Sequence, residues 1–321
     1  MPVDCDKVSA GDITLATAYL SHSLFQDHQM QPDHPESPQR LASIEDRLQA
    51  AGLMDILMYR DAPMATREQL ERVHTARHID ELADLSPEEG LVAIDPDTSM
   101  CPATLEAAWR AAGASVLAVD MVMKRQVKNA FCAVRPAGHH AERDAAMGFC
   151  FFDNVAVGAS HSLQEWGLER VAILDFDVHH GNGSEDIFRD DRQVMVCSVY
   201  QDPLYPYSGS AGVPGRLVNV PIPPGTAGPA WRAAISDAWL PAIEEFRPQF
   251  ILVSAGFDGH VADPMAELLL TEADYIWLTD QILDLAERHA DGRIVSCLEG
   301  GYDLQALARC VAAHIRLLAG V

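Results

Sequence analysis

The sequence lacks the features that mark disulfide-rich, exported, membrane-spanning and multidomain proteins. Its seven cysteines form no C-x-x-C pair and several lie in apolar runs, so we expect buried, reduced thiols and a cytoplasmic protein. Residues 1–20 carry acidic side chains and only a short apolar stretch, which supports neither a signal peptide nor a membrane helix. No Pro/Gly/Ser-rich linker, repeat or low-complexity tract interrupts the 321 residues, and we predict one domain over residues 1–321.

Basic residues are also scarce. The chain has 23 Lys and Arg against 47 Asp and Glu, which gives a formal net charge of -24. Because phosphate binding requires clustered Lys and Arg, this balance argues against a nucleic-acid partner. It favours solubility and cationic substrates, although a salt-tolerant host would explain the charge equally well. Helix faces alone leave open whether the protein is a homo-oligomer.

The apolar residues are grouped into runs that predict an α/β fold. Four runs, at residues 130–134, 171–174, 250–254 and 293–297, predict buried parallel strands. Helical periodicity alternates with them, at residues 39–51, 103–123, 154–166, 231–246, 272–288 and 304–318. A motif rich in polar residues or glycine follows each apolar run. Since ligands bind beyond the carboxyl ends of strands in open α/β sheets, we expect these motifs to meet at one site.

The most informative motif is D-x-D-x-H-H-G-N-G, which begins at Asp175. In an extended backbone Asp175, Asp177 and His179 would share one face. Such residues after a strand are often a solvated turn. Three converging acceptors, however, repel one another unless a cation or a proton lies between them. The motif therefore predicts a metal site.

Four motifs together resemble the histone deacetylase family, specifically its class II-like bacterial amidohydrolases. They are the tandem histidines His139-His140, the D-x-D-x-H-H-G-N-G motif, the A-D-P segment ending at Pro264, and the G-G-Y segment ending at Tyr302. They occur in the order and at the spacing of the family, and the resemblance extends from His34 to Tyr302. It implies an arginase/deacetylase-like α/β domain, with a central, mostly parallel sheet flanked by helices on both faces.

The resemblance also implies a metal-dependent amidohydrolase that acts on linear amides. Asp177, His179 and Asp263 would bind catalytic Zn2+ and leave positions open for water and the substrate carbonyl, as catalytic zinc requires. The oxygen-rich ligand set would also suit Fe2+. With such a metal, the reaction needs a base to take a proton from water.

The resemblance assigns that proton transfer to the tandem histidines. It pairs His139 with the buried carboxylate of Asp175 and His140 with Asn182, where class I enzymes carry Asp. A neutral Asn orients the imidazole without adding charge, so His140 is the predicted general base. Tyr302 would donate its hydroxyl to the oxyanion of the tetrahedral intermediate, a role worth roughly 3 to 4 kcal/mol.

Further matches with the family predict the substrate channel. Gly148-Phe149 and the segment around Tyr205 would form two aromatic walls around an acyl-lysine stem. Asp97 occupies the position of a rim residue that accepts backbone N–H bonds from the substrate, although a simple turn is equally consistent with it. Leu270 lies seven residues after Asp263, where polyamine-selective relatives carry a Glu gatekeeper. Arg40 resembles an arginine that lines an exit tunnel, although a helical arginine is usually solvated.

The family also holds a structural K+ beneath the zinc. The ligands that the resemblance implies are the side chains of Asp175 and Ser198 and the backbone carbonyls of Asp177, His179 and Val199. A second K+ would lie near Phe188 and Val194, where Asp191 and Arg216 depart from the commoner residues of the family.

Three functions remain open at this point. The first is deacylation of acyl-lysine in proteins or peptides, which Leu270 favours over the second, deacetylation of small amines such as acetylpolyamines. The third is binding of acetyl-lysine without catalysis, which an intact metal triad and Tyr302 disfavour. An arginase-like ureohydrolase is disfavoured too, because that related fold carries two metals and lacks the tandem histidines and the tyrosine.

Overall fold

A computed structural model describes residues 16–209 and 212–321 of the chain. Its strands are β1 (Thr17–Ser21), β2 (Met58–Asp61), β3 (Val92–Ala93), β4 (Ser99–Met100), β5 (Asn129–Cys132), β6 (Val171–Asp175), β7 (Val194–Gln201), β8 (Leu217–Ile222), β9 (Phe250–Ala255) and β10 (Ile294–Leu298). Eight of them form one sheet in the order β2-β1-β5-β10-β9-β6-β7-β8. Every neighbouring pair in this sheet is parallel. Strands β3 and β4 form a separate antiparallel pair.

Helices cover both faces of the sheet. They are α1 (Gln39–Ala50), α2 (Arg67–Glu71), α3 (Ala76–Leu85), α4 (Thr104–Met123), α5 (Asn154–Trp166), α6 (Asn182–Phe188), α7 (Gly228–Phe246), α8 (Glu272–His289) and α9 (Leu304–Ala319). Helices α4 and α5 pack together on one face, while α1, α7, α8 and α9 form the other layer. The predicted α/β class, with a parallel sheet between two helical layers, is confirmed.

The buried strands explain why the apolar runs were visible in the sequence. Every residue of β6, β7, β9 and β10 is buried, because helices exclude water from both faces of a parallel sheet. Of the residues that the structure describes, six cysteines are free and buried. Cys5, like most of segment 1–20, lies outside the described residues. Among residues 16–209 and 212–321, no helix combines the length and apolar character needed to cross a membrane.

The predicted helices are present, with small differences at their ends. Helix α5 begins after Asp153, whose side chain accepts the N–H of Ala156, and ends at Gly167, whose φ of 64° is left-handed. Helix α7 starts at Gly228, three residues earlier than predicted, with a proline in its first turn. The short helices α2, α3 and α6 were not predicted, because five to ten residues show too little periodicity.

Candidate active site

The D-x-D-x-H-H-G-N-G motif leaves the sheet earlier than the sequence predicted. Strand β6 ends at Asp175, and residues 177–179 form a bend, so the prediction of a shared face along an extended strand was wrong. Side-chain bonds to the backbone bring the groups together instead. The N–H of Asp177 donates to Asp175 Oδ1 at 3.1 Å, and the N–H of His179 donates to Asp177 Oδ1 at 2.9 Å.

A buried group of two carboxylates and one imidazole lies at this bend. His179 Nδ1 is 3.0 Å from Asp177 Oδ1 and 3.1 Å from Asp258 Oδ2. One ligand atom from each of the three residues lies within 4.8 Å of the others. Burial raises the pKa of the Asp258 carboxyl, and the charge of Asp177 raises it further. A cation between the carboxylates would relieve this repulsion.

Glycines at two positions allow the backbone to approach these carboxylates closely. A Cβ on Gly256 would lie 2.1 Å from Asp177 Oδ2, and a Cβ on Gly300 would lie 2.1 Å from Asp258 Oδ2. Donors of this type, at this burial, fit a divalent metal such as zinc or iron. The geometry therefore supports a metal site at the carboxyl ends of β6 and β9.

Asp263, the third ligand that the resemblance implied, forms hydrogen bonds with backbone N–H groups instead. Its Oδ2 accepts the N–H groups of Tyr302 at 2.6 Å and Asp303 at 3.1 Å, and its Oδ1 accepts that of Met265 at 3.0 Å. It does not belong to the group formed by Asp177, His179 and Asp258. Sequence reasoning missed Asp258, although this residue comes three residues after β9, much as Asp177 comes two residues after β6.

The tandem histidines lie beside this group with the predicted partners. His139 Nδ1 is 2.9 Å from Asp175 Oδ2, and His140 Nδ1 is 2.7 Å from Asn182 Oδ1. Burial alone would lower the pKa of His139, but Asp175 and Asp177 raise it well above the usual range. Burial lowers the pKa of His140, and the neighbouring imidazole of His139 lowers it further. The ring centroids are 4.0 Å apart. His139 therefore favours the protonated, charged form, and His140 favours the neutral form.

Tyr302 is held in the site by contacts of its backbone and of its ring. Beyond the N–H bond to Asp263, its ring meets the Phe149 ring edge-on at 6.1 Å. The guanidinium of Arg40 lies 5.0 Å from the ring centroid. Arg40 is fully buried rather than solvated, and it donates to the carbonyls of Glu299 and Gly301. Burial raises the pKa of Tyr302 well above its usual value, so the hydroxyl stays protonated.

A narrow channel of about 120 Å³ leads to these residues. It is lined by Asp97, Ala137, His139, His140, Gly148, Phe149, His179, Tyr205, Met265, Gly300 and Tyr302. The ring of Tyr205 meets that of His140 edge-on at 5.3 Å. Gly148 approaches so closely that a Cβ there would lie 2.4 Å from His140 Cδ2. The predicted aromatic walls and the rim residue Asp97 thus surround one channel.

Leu270 does not line this channel, contrary to its predicted place as gatekeeper. It is 1% exposed, and its carbonyl accepts the N–H of Val261 because the loop after Asp263 turns back on itself. The channel wall on this side is Met265, which sequence reasoning did not identify. Leu270 therefore gives no structural reason to favour peptides over polyamines.

Two of the residues predicted to hold K+ lie side by side on neighbouring strands. Asp175 and Ser198 are direct neighbours in the register of β6 and β7. A Cβ on Gly181 would lie 2.1 Å from Asp175 Oδ2, so the backbone approaches this carboxylate closely. At the second predicted site, Arg216 Nη1 donates to the carbonyls of Arg189 and Asp191 at 3.1 and 3.0 Å. At this second predicted K+ site, carbonyl oxygens near Phe188 thus accept hydrogen bonds from the Arg216 guanidinium.

Another His/Glu/Cys group does not have the protonation state that a metal needs. It contains His260, Glu272 and Cys310. His260 Nδ1 accepts the N–H of Ala262 at 3.1 Å, so the neutral ring carries its proton on Nε2, the nitrogen that faces the group. Arg309 also pairs with Glu272 at 2.5 Å. We assign no metal to these residues.

Tandem histidines beside a buried group of two carboxylates and an imidazole, together with a channel lined by aromatic residues, form an arrangement that suits metal-assisted hydrolysis. Comparisons with known proteins extend this result. The histone deacetylase domain family matches residues 34–318. A histone deacetylase-like amidohydrolase of Pseudomonas aeruginosa is 39% identical over 295 residues, covering 90% of this chain and 77% of the relative. A probable deacetylase of Archaeoglobus fulgidus is 36% identical over 299 residues, covering 91% and 82%.

Two further similarities concern substrate and fold. The polyamine deacetylase HDAC10 of Mus musculus is 36% identical over 333 residues, covering 95% of this chain and 48% of the relative. The crystal structure of the HDA15 HD domain superposes with a TM-score of 0.88 at 32% identity, covering 96% of this chain and 90% of that one. The chain belongs to the histone deacetylase family.

Proposed function

We propose that the protein hydrolyses the acetamide, or a related acyl amide, of Nε-acyl-lysine in proteins or peptides. The observation that carries this proposal is the channel, which has aromatic walls and is also lined by the tandem histidines and Tyr302. An aliphatic lysine stem fits between Phe149 and Tyr205 and would bury apolar area there.

His140 is the proposed general base. Its Nδ1–H donates to Asn182 Oδ1, which leaves the lone pair of Nε2 free to accept a proton from water. Because burial and the neighbouring imidazole of His139 lower its pKa, this ring is neutral at neutral pH and ready to act. His139, held by Asp175, stays charged and stabilises negative charge on the reacting groups.

Tyr302 is the proposed donor to the oxyanion. Its hydroxyl is protonated at neutral pH, and it lines the channel together with the tandem histidines. A donor that is fixed before the reaction contributes most where charge develops. Bound in the channel, the substrate carbonyl would therefore lie between Tyr302 and the metal site.

We propose Zn2+ as the metal, with Fe2+ as the alternative that an oxygen-rich donor set allows. Asp177 and His179 would hold it, together with Asp263 by family resemblance or Asp258 by the geometry of this structure. When bound, such a metal supplies Lewis-acid activation of water and of the amide carbonyl. A structural K+ at Asp175 and Ser198 is part of the same proposal.

A second candidate substrate is a small acetylated amine such as an acetylpolyamine. Asp97 lines the channel, and the carboxylates of Asp95, Asp97 and Glu142 lie close enough to its wall residue Tyr205 to raise the pKa of that tyrosine, after burial itself. Negative charge near the channel attracts cationic substrates. The similarity to a polyamine deacetylase points in the same direction.

The test is hydrolysis by the Zn2+-loaded protein of an acetyl-lysine peptide and of N-acetylated polyamines, each with and without a chelator. Chelator-sensitive turnover with preference for the peptide would support the first proposal. Preference for polyamines would support the second. No turnover of either substrate would contradict both, and an Asp177→Ala variant with full activity and metal content would refute the metal assignment.

A further inference from the structure

Glu299 is a buried acid at the active site to which the reaction described above gives no part. It is 0% exposed and follows β10, between the strand and Tyr302. We propose that Glu299 is a positioning residue, whose carboxyl group holds the backbone of the tandem histidines in the geometry needed for proton transfer. This inference rests on the proposed function.

One carboxyl oxygen of Glu299 accepts hydrogen bonds from two backbone N–H groups. One belongs to the residue just before the tandem histidines, and the other belongs to the first histidine of the pair. Oε2 accepts the N–H of Gly138 at 2.7 Å and the N–H of His139 at 3.2 Å. Side-chain substitution at Gly138 is blocked, because a Cβ there would lie 2.5 Å from the backbone nitrogen of Asn154. The backbone of this segment is thus clamped between Glu299 and α5.

The main chain around Glu299 is fixed by other parts of the same site. Its N–H donates to the carbonyl of Ala255 at 3.0 Å, and its carbonyl accepts from the guanidinium of Arg40. The next residue, Gly300, donates its N–H to Asp177 Oδ2 at 2.7 Å. Glu299 therefore links the histidine backbone to the segment that supports the metal site and Tyr302.

The neutral form of the acid is sufficient for this role. Among residues 16–209 and 212–321, Oε1 has no hydrogen-bond partner. Burial raises the pKa of Glu299 to about 8, although the charge of His139 lowers it in part. The neutral acid is therefore the main form at pH 7, and an acceptor without charge is enough to hold the two N–H groups.

Removing the acceptor leaves two buried N–H groups without a partner, so the segment must shift. The ring of His139 would move relative to Asp175, and that of His140 would move relative to the channel. Loss of groups that orient catalytic side chains typically lowers activity about 10- to 100-fold. We expect this loss in kcat, since Glu299 does not line the channel and substrate binding should be unaffected.

The experiment compares Glu299→Ala, Glu299→Gln and the control Cys297→Ala in the full-length protein. Gln keeps a neutral acceptor of the same shape, whereas Cys297 is buried in β10, two residues before Glu299, and contacts Cys132 instead. The measurements are kcat and KM on the acetylated peptide, bound metal, melting temperature, and the NMR signal of the His139 Nδ1–H in metal-free protein. That proton reports the bond to Asp175.

We expect Glu299→Ala to lower kcat about 10- to 100-fold with KM within about twofold, unchanged metal content and a shifted Nδ1–H signal. Glu299→Gln should resemble the wild type in kcat and in that signal. Three results would overturn the inference: full kcat in Glu299→Ala, equal losses in Glu299→Ala and Cys297→Ala that follow melting temperature, or a folded Glu299→Gln as impaired as Ala. If the wild type hydrolyses neither substrate, the proposed function fails, while the NMR comparison still tests the positioning role.

Discussion

Replacing Tyr302 with phenylalanine removes one hydroxyl group and leaves the position of the ring determined by the same contacts. The backbone N–H still donates to Asp263, the Phe149 ring still packs edge-on at 6.1 Å, and the Arg40 guanidinium still lies 5.0 Å from the ring. None of these contacts involves the hydroxyl. The substitution therefore isolates the hydrogen bond that Tyr302 would donate to the oxyanion.

The size of the effect follows from where that bond acts. The channel is narrow, at about 120 Å³, and its end is enclosed by aromatic and imidazole rings, so little water can replace the lost donor. Removing one such donor lowers kcat about 10²- to 10³-fold, or about 2.7–4 kcal/mol. Since burial keeps the Tyr302 hydroxyl protonated well above neutral pH, the ratio of wild-type to variant kcat should be constant between about pH 6 and pH 9.

The assay is steady-state hydrolysis of an acetyl-lysine peptide, with bound metal measured in the same preparations. Tyr207→Phe is the matched control, because this tyrosine is 79% exposed and outside the channel. Tyr302→Phe should keep its metal and lose turnover, while Tyr207→Phe should keep both. A Tyr302→Phe enzyme within about threefold of the wild type would show that the hydroxyl does not stabilise the oxyanion.

Three further predictions concern the groups around the channel. His140→Ala should lower kcat more than His139→Ala, because the base is lost rather than a stabilising charge; the reverse order in steady-state assays would exchange the two roles. Of the variants Asp258→Ala and Asp263→Ala, the one that removes the third ligand should reduce bound metal measured by elemental analysis, and full retention by either variant would remove that residue from the ligand set. Because burial raises the pKa of Glu299 from 4.5 to about 8, the folded protein keeps a proton that the unfolded chain loses. Its contribution to the free energy of unfolding should thus be complete below about pH 4.5 and disappear as pH rises through 8. Glu299→Gln should remove this part of the slope in denaturation at a series of pH values, and an unchanged slope would contradict it.

The site residues that could be predicted from sequence are those that lie close together in the chain and have side chains suited to the chemistry. His139 and His140 are adjacent in the chain, and Asp177 and His179 belong to one motif, so their proximity needs no knowledge of the fold. Parallel strands then bring these motifs to one end of the sheet, as the apolar runs predicted.

The residues that could not be predicted depend on loop geometry across the chain. Leu270 was placed by counting from Asp263, but the loop turns back and forms a bridge between Leu270 and His260, which buries the leucine. Met265, two residues after Asp263, lines the channel instead. Glu299 and Gly138 are 161 residues apart, and no periodicity in either segment indicates that they meet.

Without a cation, the buried carboxylates lower the free energy of unfolding. The same carboxylates are suited to binding a metal ion. Asp177 and Asp258 are both 0% exposed, so their repulsion acts where water screens it little. A cation that binds this group in the folded chain alone adds about 2.7 kcal/mol to the free energy of unfolding at a hundredfold excess over its Kd. The glycines at positions 256 and 300 are what allow the backbone to close around these carboxylates, because a Cβ at either would meet a carboxylate oxygen at 2.1 Å. The arrangement therefore supports the proposed metal site, because hydrophobic side chains at the same positions would serve the packing of the sheet better.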